Sequence, residues 1–166
     1  MIEIYRNHFI PVALSLLPLE MSSDKAIAML LAIGLQESRF ENRRQLPRRA
    51  GQPDGPARGF FQFEKGGGIL GVSTHAATQP HLDAALCAMR YPNGTVDDIE
   101  KLYTIIEHND IIACVCARLL LWTVPASLPS RESAAAGWTQ YLQGWRPGEP
   151  HPQTWTGYFN RAWELV

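Results

Sequence analysis

Ala26-Ile-Ala-Met-Leu-Leu-Ala-Ile-Gly-Leu35 runs directly into Gln36-Glu37-Ser38-Arg39-Phe40. The first ten of these residues carry no polar side chain. A helix that is apolar all round belongs in a core, and such a run is too short to cross a bilayer. If the helix continues through Glu37, the residues three, four and seven positions back are Gly34, Ile33 and Leu30, which sets a carboxyl on an apolar face. Desolvation and the negative end of the helix dipole both raise the pKa of a carboxyl placed there. A carboxyl that stays protonated near neutral pH is what a general acid requires. By itself, though, a glutamate at a helix end is commonly a solvated surface group.

Outward from this helix, Arg39, Arg43, Arg44, Arg48, Arg49 and Arg58 crowd one segment, with only Glu41 and Asp54 among them, and the chain returns at Gly59-Phe60-Phe61-Gln62-Phe63. The return is too short and aromatic for an amphipathic helix and reads as a short extended or turn segment. The Arg-rich loop, residues 39–58, reads as a solvated loop or as a surface for anionic groups. It lacks the interleaved aromatic residues of a single-strand nucleic-acid binder.

The 166 residues suit one domain, 1–166, with a proper core. With 46% hydrophobic and 19% charged residues and a net charge of −1, the chain is neither disordered in bulk nor a generally basic nucleic-acid binder. Cys114 and Cys116 stand two apart, on nearly opposite sides of a helix, and the three cysteines read as buried free thiols. The histidines show no ligand spacing, so no metal is expected. No membrane span is expected either. Met1-Ile-Glu-Ile-Tyr-Arg6 lacks the pattern of a secretory signal, which predicts synthesis in the cytoplasm.

Helical spacing predicts a helix over about 4–17, kinked or started late at Pro11. Ser22 or Ser23 caps the central helix. Gly66-Gly67-Gly68 reads as a flexible turn. Further helices are expected from Thr78, from a Thr95–Asp98 capping box, from Asn109 or Asp110 through Trp122, from Ser130, and from Thr154. No alternating strand pattern of any length occurs. The chain is expected to be mainly α.

Glu37-Ser38-Arg39-Phe40 taken with Gly59-Phe60-Phe61-Gln62 resembles the soluble lytic transglycosylases and their goose-type lysozyme relatives. In that superfamily a buried helix ends in Glu-Ser, a Gly-x-x-Gln turn follows, and a later helix begins with Asn, here Asn109. Where the family carries Ala-Tyr-Asn-x-Gly, the chain has Ala135-Ala136-Gly137-Trp138 and then Tyr141 without the Asn-x-Gly, and Tyr141 is the candidate for the family's tyrosine. Trp138-x-x-Tyr141 and Trp145-Arg146-Pro147-Gly148 look like pieces of phage-encoded proteins of this type.

The resemblance implies a lysozyme-like helical domain that cleaves the β-1,4 bond between N-acetylmuramic acid and N-acetylglucosamine in peptidoglycan. Glu37 would be the general acid and base, giving 1,6-anhydro products, with no cofactor implied. Ser38 and Gln62 would orient Glu37 or bind the sugar's acetamido group. Phe61, with Phe60 and Phe63, would wall the sugar site, although three such rings are more commonly core than subsite, and Tyr141 would touch the acid or the reacting sugar. Trp138, Trp145, Trp155 and Trp163 read as packing residues rather than sugar platforms, with Trp145, read as a loop residue, the best exception. A hydrolytic outcome would need a second carboxylate, from Glu41, Asp54 or Glu64, with Glu64 the best placed. A non-catalytic virion or peptidoglycan-binding module is the reading from another class. As an endolysin or a virion-associated lysin, the protein would act on the cell wall, with other virion components as possible partners in the second case.

Overall fold

The computed structural model describes residues 1–47, 49 and 51–166. In chain order the helices are α1 (Ile2–Ile4), α2 (Ile10–Ser15), α3 (Asp24–Ser38), α4 (Leu70–Thr74), α5 (Gln79–Ala88), α6 (Ile99–His108), α7 (Asp110–Trp122), α8 (Ala134–Trp145) and α9 (Pro152–Glu164). The chain is mainly helical, with no β-strand among the described residues. None of these helices is long and apolar enough to cross a membrane.

Ser23 starts α3 from an extended backbone, its Oγ accepting from the Ala26 N–H at 3.2 Å. Ala26 and every residue from Ala28 to Gly34 are buried, so the apolar run lies in the core as its composition requires. A second helix shares that position. In α7 everything from Ile112 to Leu121 is buried, and Asn109 caps it by accepting from the N–H groups of Ile111 and Ile112, both at 3.1 Å. α9 packs along α3, while α2, α5 and α6 pack around α7.

Several boundaries differ from those read in the sequence. The N-terminal segment is helical from Ile2, but Tyr5–Phe9 widens into a π turn just before Pro11. Ile10 N–H bonds five residues back to Tyr5 O there, next to a proline that has no N–H for the regular ladder. Thr95 belongs to a separate 3-10 turn, and Asp98 caps α6 by accepting from Lys101 N–H at 3.0 Å. Ser130 bonds to the Ser133 hydroxyl at 3.0 Å rather than to a helix N–H. α9 opens at Pro152, since proline suits a first helical turn. Gly66-Gly67-Gly68 lies in a helical turn, Lys65–Ile69, and a Cβ on Gly68 would fall 2.7 Å from Phe63 Cδ1. Cys114 and Cys116 are buried free thiols, whereas Cys87 is exposed.

The Arg-rich loop is held by charges from distant helices. Arg43 makes a two-pronged pair with the Asp110 carboxylate, at 2.6 and 2.7 Å, which also accepts from Tyr5 Oη at 2.6 Å. Arg44 and Arg58 meet Glu107 at 2.5 and 3.2 Å. Both carboxylates are buried, so their partners are obligatory rather than ornamental: a buried carboxylate without a counter-charge is costly. The loop is therefore not a free basic surface along its whole length. Arg39 and Arg49 are exposed, and Arg48 lies outside the described residues.

Candidate active site

Glu37 sits in the last turn of α3, and the way that helix stops defines its surroundings. Arg39 and Phe40 both adopt left-handed backbone, with φ of 54° and 57°. The reversal lays the Phe40 ring on Gly34, where a Cβ would be 2.0 Å from Phe40 Cζ. A glycine in an otherwise bulky apolar run is thereby explained. Ser38 Oγ donates to Phe60 O at 2.7 Å and accepts from Phe40 N–H at 3.1 Å. Its hydroxyl clips the helix end to the 59–63 turn. Of the two roles expected of Ser38, orienting and sugar binding, its hydrogen bonds to backbone fit a positioning one.

The turn itself is closed by Arg58 and Phe63, which exchange two backbone hydrogen bonds of 2.9 Å. Gly59 has φ 68°, and a Cβ there would lie 2.7 Å from Ile106 O, so both conformation and space favour glycine. Gln62, also left-handed at φ 49°, donates from Nε2 to Gly59 O at 2.8 Å and to Asn42 O at 3.3 Å. Gln62 is partly exposed beside the turn it braces, and its amide oxygen accepts no hydrogen bond among the described residues. Phe61 is the clear correction. It is fully buried among Tyr5, Phe40 and Phe63 and presents no ring to a ligand, and Phe60 and Phe63 are buried with it. Burying three adjacent aromatic rings outweighs leaving them at a surface.

Tyr141 reaches Glu37 from α8. Its hydroxyl donates to Glu37 Oε1 at 2.6 Å across a sequence separation of 104 residues. The phenol is held in an aromatic stack, with Trp155 at 5.2 Å and an interplanar angle of 18°, Trp145 at 6.3 Å and Trp138 at 5.2 Å. Trp145 is the last residue of α8, not a loop residue, and its indole N–H donates to Phe61 O at 2.9 Å. The same helix face therefore touches both the carboxyl and the turn. Trp138 and Trp155 were not read as part of this site. Spacings of three and four residues, from Trp138 to Tyr141 to Trp145, carried the signal for one face of one helix.

Burial is the main cause that pushes the Glu37 carboxyl up from 4.5 to about 7. The Tyr141 hydrogen bond opposes that rise, and the charge of Glu64 adds to it. Burial and a neighbouring carboxylate thus account for what the sequence attributed to burial and the helix dipole. Glu64 is exposed, immediately after the turn, so the two carboxylates sit in unlike environments. Of the three candidates for a second carboxylate, Glu64 is the one whose charge acts on Glu37. Asp54 instead faces Arg44 at 3.7 Å.

A cavity of about 350 Å³ lies elsewhere, lined in part by Lys25, Arg118 and Trp122, and it contains none of the predicted site residues. Asn109 is a helix cap whose Nδ2 donates to Tyr91 Oη at 3.0 Å.

Compared with protein-family models, curated proteins and solved structures, the chain matches none.

Proposed function

We propose that this chain is a peptidoglycan-cleaving enzyme of lysozyme-like fold, and that Glu37 is its general acid and base at the β-1,4 bond between N-acetylmuramic acid and N-acetylglucosamine. The observation that carries the reading is a half-buried carboxyl at the end of a core helix, with a carboxyl pKa of about 7 and a tyrosine hydroxyl 2.6 Å from one of its oxygens. Tyr141 donates to Oε1, which leaves Oε2 to carry the catalytic proton. In the transglycosylase route, Glu37 protonates the leaving glycosidic oxygen as the C1–O bond breaks. Its carboxylate then accepts the proton of the muramic acid 6-hydroxyl as that oxygen bonds to C1, closing the 1,6-anhydro ring. The carboxyl ends as it began, and one such group suffices.

Glu64 supports a hydrolytic second reading, because its charge acts on Glu37 from the adjacent segment. Hydrolases of this kind set two carboxyl groups about 5–9.5 Å apart. On either route Ser38 and Gln62 hold the 59–63 turn against the helix end. The site of action is the cell wall, in keeping with a phage endolysin or a virion-associated lysin.

The deciding experiment is mass spectrometry of soluble products from purified sacculi, with wild type and Glu37→Gln in parallel. Muropeptides ending in 1,6-anhydromuramic acid are expected from wild type and not from the variant. Reducing ends would establish the hydrolase. Binding to sacculi without soluble product would leave a non-catalytic cell-wall module.

A further inference from the structure

We propose that the cavity between the C-terminal end of α7 and the first turn of α3 binds a small organic carboxylate through the guanidinium of Arg118. The cavity measures about 350 Å³, within the range of ligand-holding clefts. Arg118 lines it and is 3% exposed. Arginine carries five N–H donors. Arg118 places one of them, Nε, on Met21 O at 2.7 Å. Its two terminal nitrogens make no hydrogen bond and no ion pair among the described residues, and they are not sealed from solvent, so their donors stay open to the cavity. The other buried charged side chains among the described residues, Glu107 and Asp110, are each met by arginine. Arg118 is met by no carboxylate among the described residues; beyond its bond to Met21 O it lies against the face of Trp122, its Cζ 5.2 Å from the ring centroid. An arginine fork whose terminal donors are open matches a carboxylate with two parallel hydrogen bonds. Burial lowers its pKa only to about 10, so it remains a cation at neutral pH.

The rest of the wall selects the class of ligand. Lys25 adds a second positive charge and Glu20 one negative charge, while Leu121, Trp122 and Leu128 supply apolar surface. The net lining charge of one positive unit suits a monoanion with an apolar or aromatic body. A dianionic phosphate would meet the Glu20 charge. The site is separate from Glu37. Lys25 and Glu37 stand near opposite ends of the 15-residue α3, roughly 18 Å apart at the helical rise per residue. Its test is therefore independent of the peptidoglycan reading.

Benzoate is the probe, titrated into the full chain by calorimetry at constant ionic strength with chloride as control. Trp122 is 40% exposed, so its fluorescence gives a second signal that Trp122→Phe removes. The expected result is saturable one-site binding that weakens about tenfold or more in Arg118→Met. Arg118→Lys, which keeps the charge without the fork, weakens it as well and serves if the methionine variant fails to fold. Glu20→Gln tightens it. Absence of saturable binding, or unchanged affinity in both Arg118 variants, would overturn the site. Tighter binding of inorganic phosphate than of benzoate would overturn the assigned class.

Discussion

Replacing Glu37 by glutamine should stabilise the folded chain at neutral and alkaline pH, whatever the variant does to activity. The folded carboxyl titrates at about 7 against 4.5 when it is free of the fold. Below pH 4.5 both states are protonated, and the glutamate costs nothing relative to glutamine. Between 4.5 and 7 the unfolded chain releases a proton that the folded chain retains, so stability falls as pH rises. Above 7 the loss is complete. At about 1.36 kcal/mol per pKa unit the full window corresponds to about 3 kcal/mol. Glu37 is partly exposed, and solvent screening reduces this to about 1–2 kcal/mol. Glutamine keeps an oxygen for the Tyr141 hydroxyl, so that hydrogen bond survives the exchange. Urea unfolding of both proteins at pH 4.5, 6 and 8 measures the effect. A gap in unfolding free energy that opens with pH, with the variant the more stable, is expected. An equal gap at all three pH values would refute a buried, proton-retaining carboxyl, and with it the physical basis for a general acid.

Tyr141→Phe removes the contact that lowers the Glu37 pKa, so the carboxyl should titrate above 7, and the alkaline limb of a pH–rate profile should move the same way; carbon-13 titration of the glutamate carboxyls checks it without substrate. Glu64→Gln should move the Glu37 midpoint down, because a raising charge is lost. Activity retained in that variant would fit the transglycosylase, and its loss by about 10²-fold or more would fit a hydrolase in which Glu64 is the second carboxylate. Gly34→Ala gains about 1 kcal/mol of helix propensity but drives a Cβ to 2.0 Å from Phe40 Cζ. The ring is 2% exposed and packed 4.4 Å from Tyr5, so it has little room to yield. The clash should win, with a net loss of about 2 kcal/mol in urea unfolding.

By itself the sequence determined the features that depend on near neighbours. The unbroken apolar run marked α3 as a core helix, and the caps were readable to within one residue, as Ser22 or Ser23 and as Asn109 or Asp110, because a cap acts within three residues of itself. Glu37 was legible because one helical repeat on an apolar run sets its environment. Tertiary structure decided what those near neighbours do not reach. Ser38 could have faced a ligand, but the backbone of Phe60, 22 residues away, takes its hydroxyl. Phe61 could have lined a groove, but packing against Tyr5 and Phe40 turned it inward. Arg43, Arg44 and Arg58 read as an unpaired cluster because Asp110 and Glu107, which neutralise them, come from helices more than 45 positions later. Glu64 stood out from Glu41 and Asp54 along the chain only by following Gln62 by two residues; since a charge acts through space, the folded turn shows that it acts on Glu37.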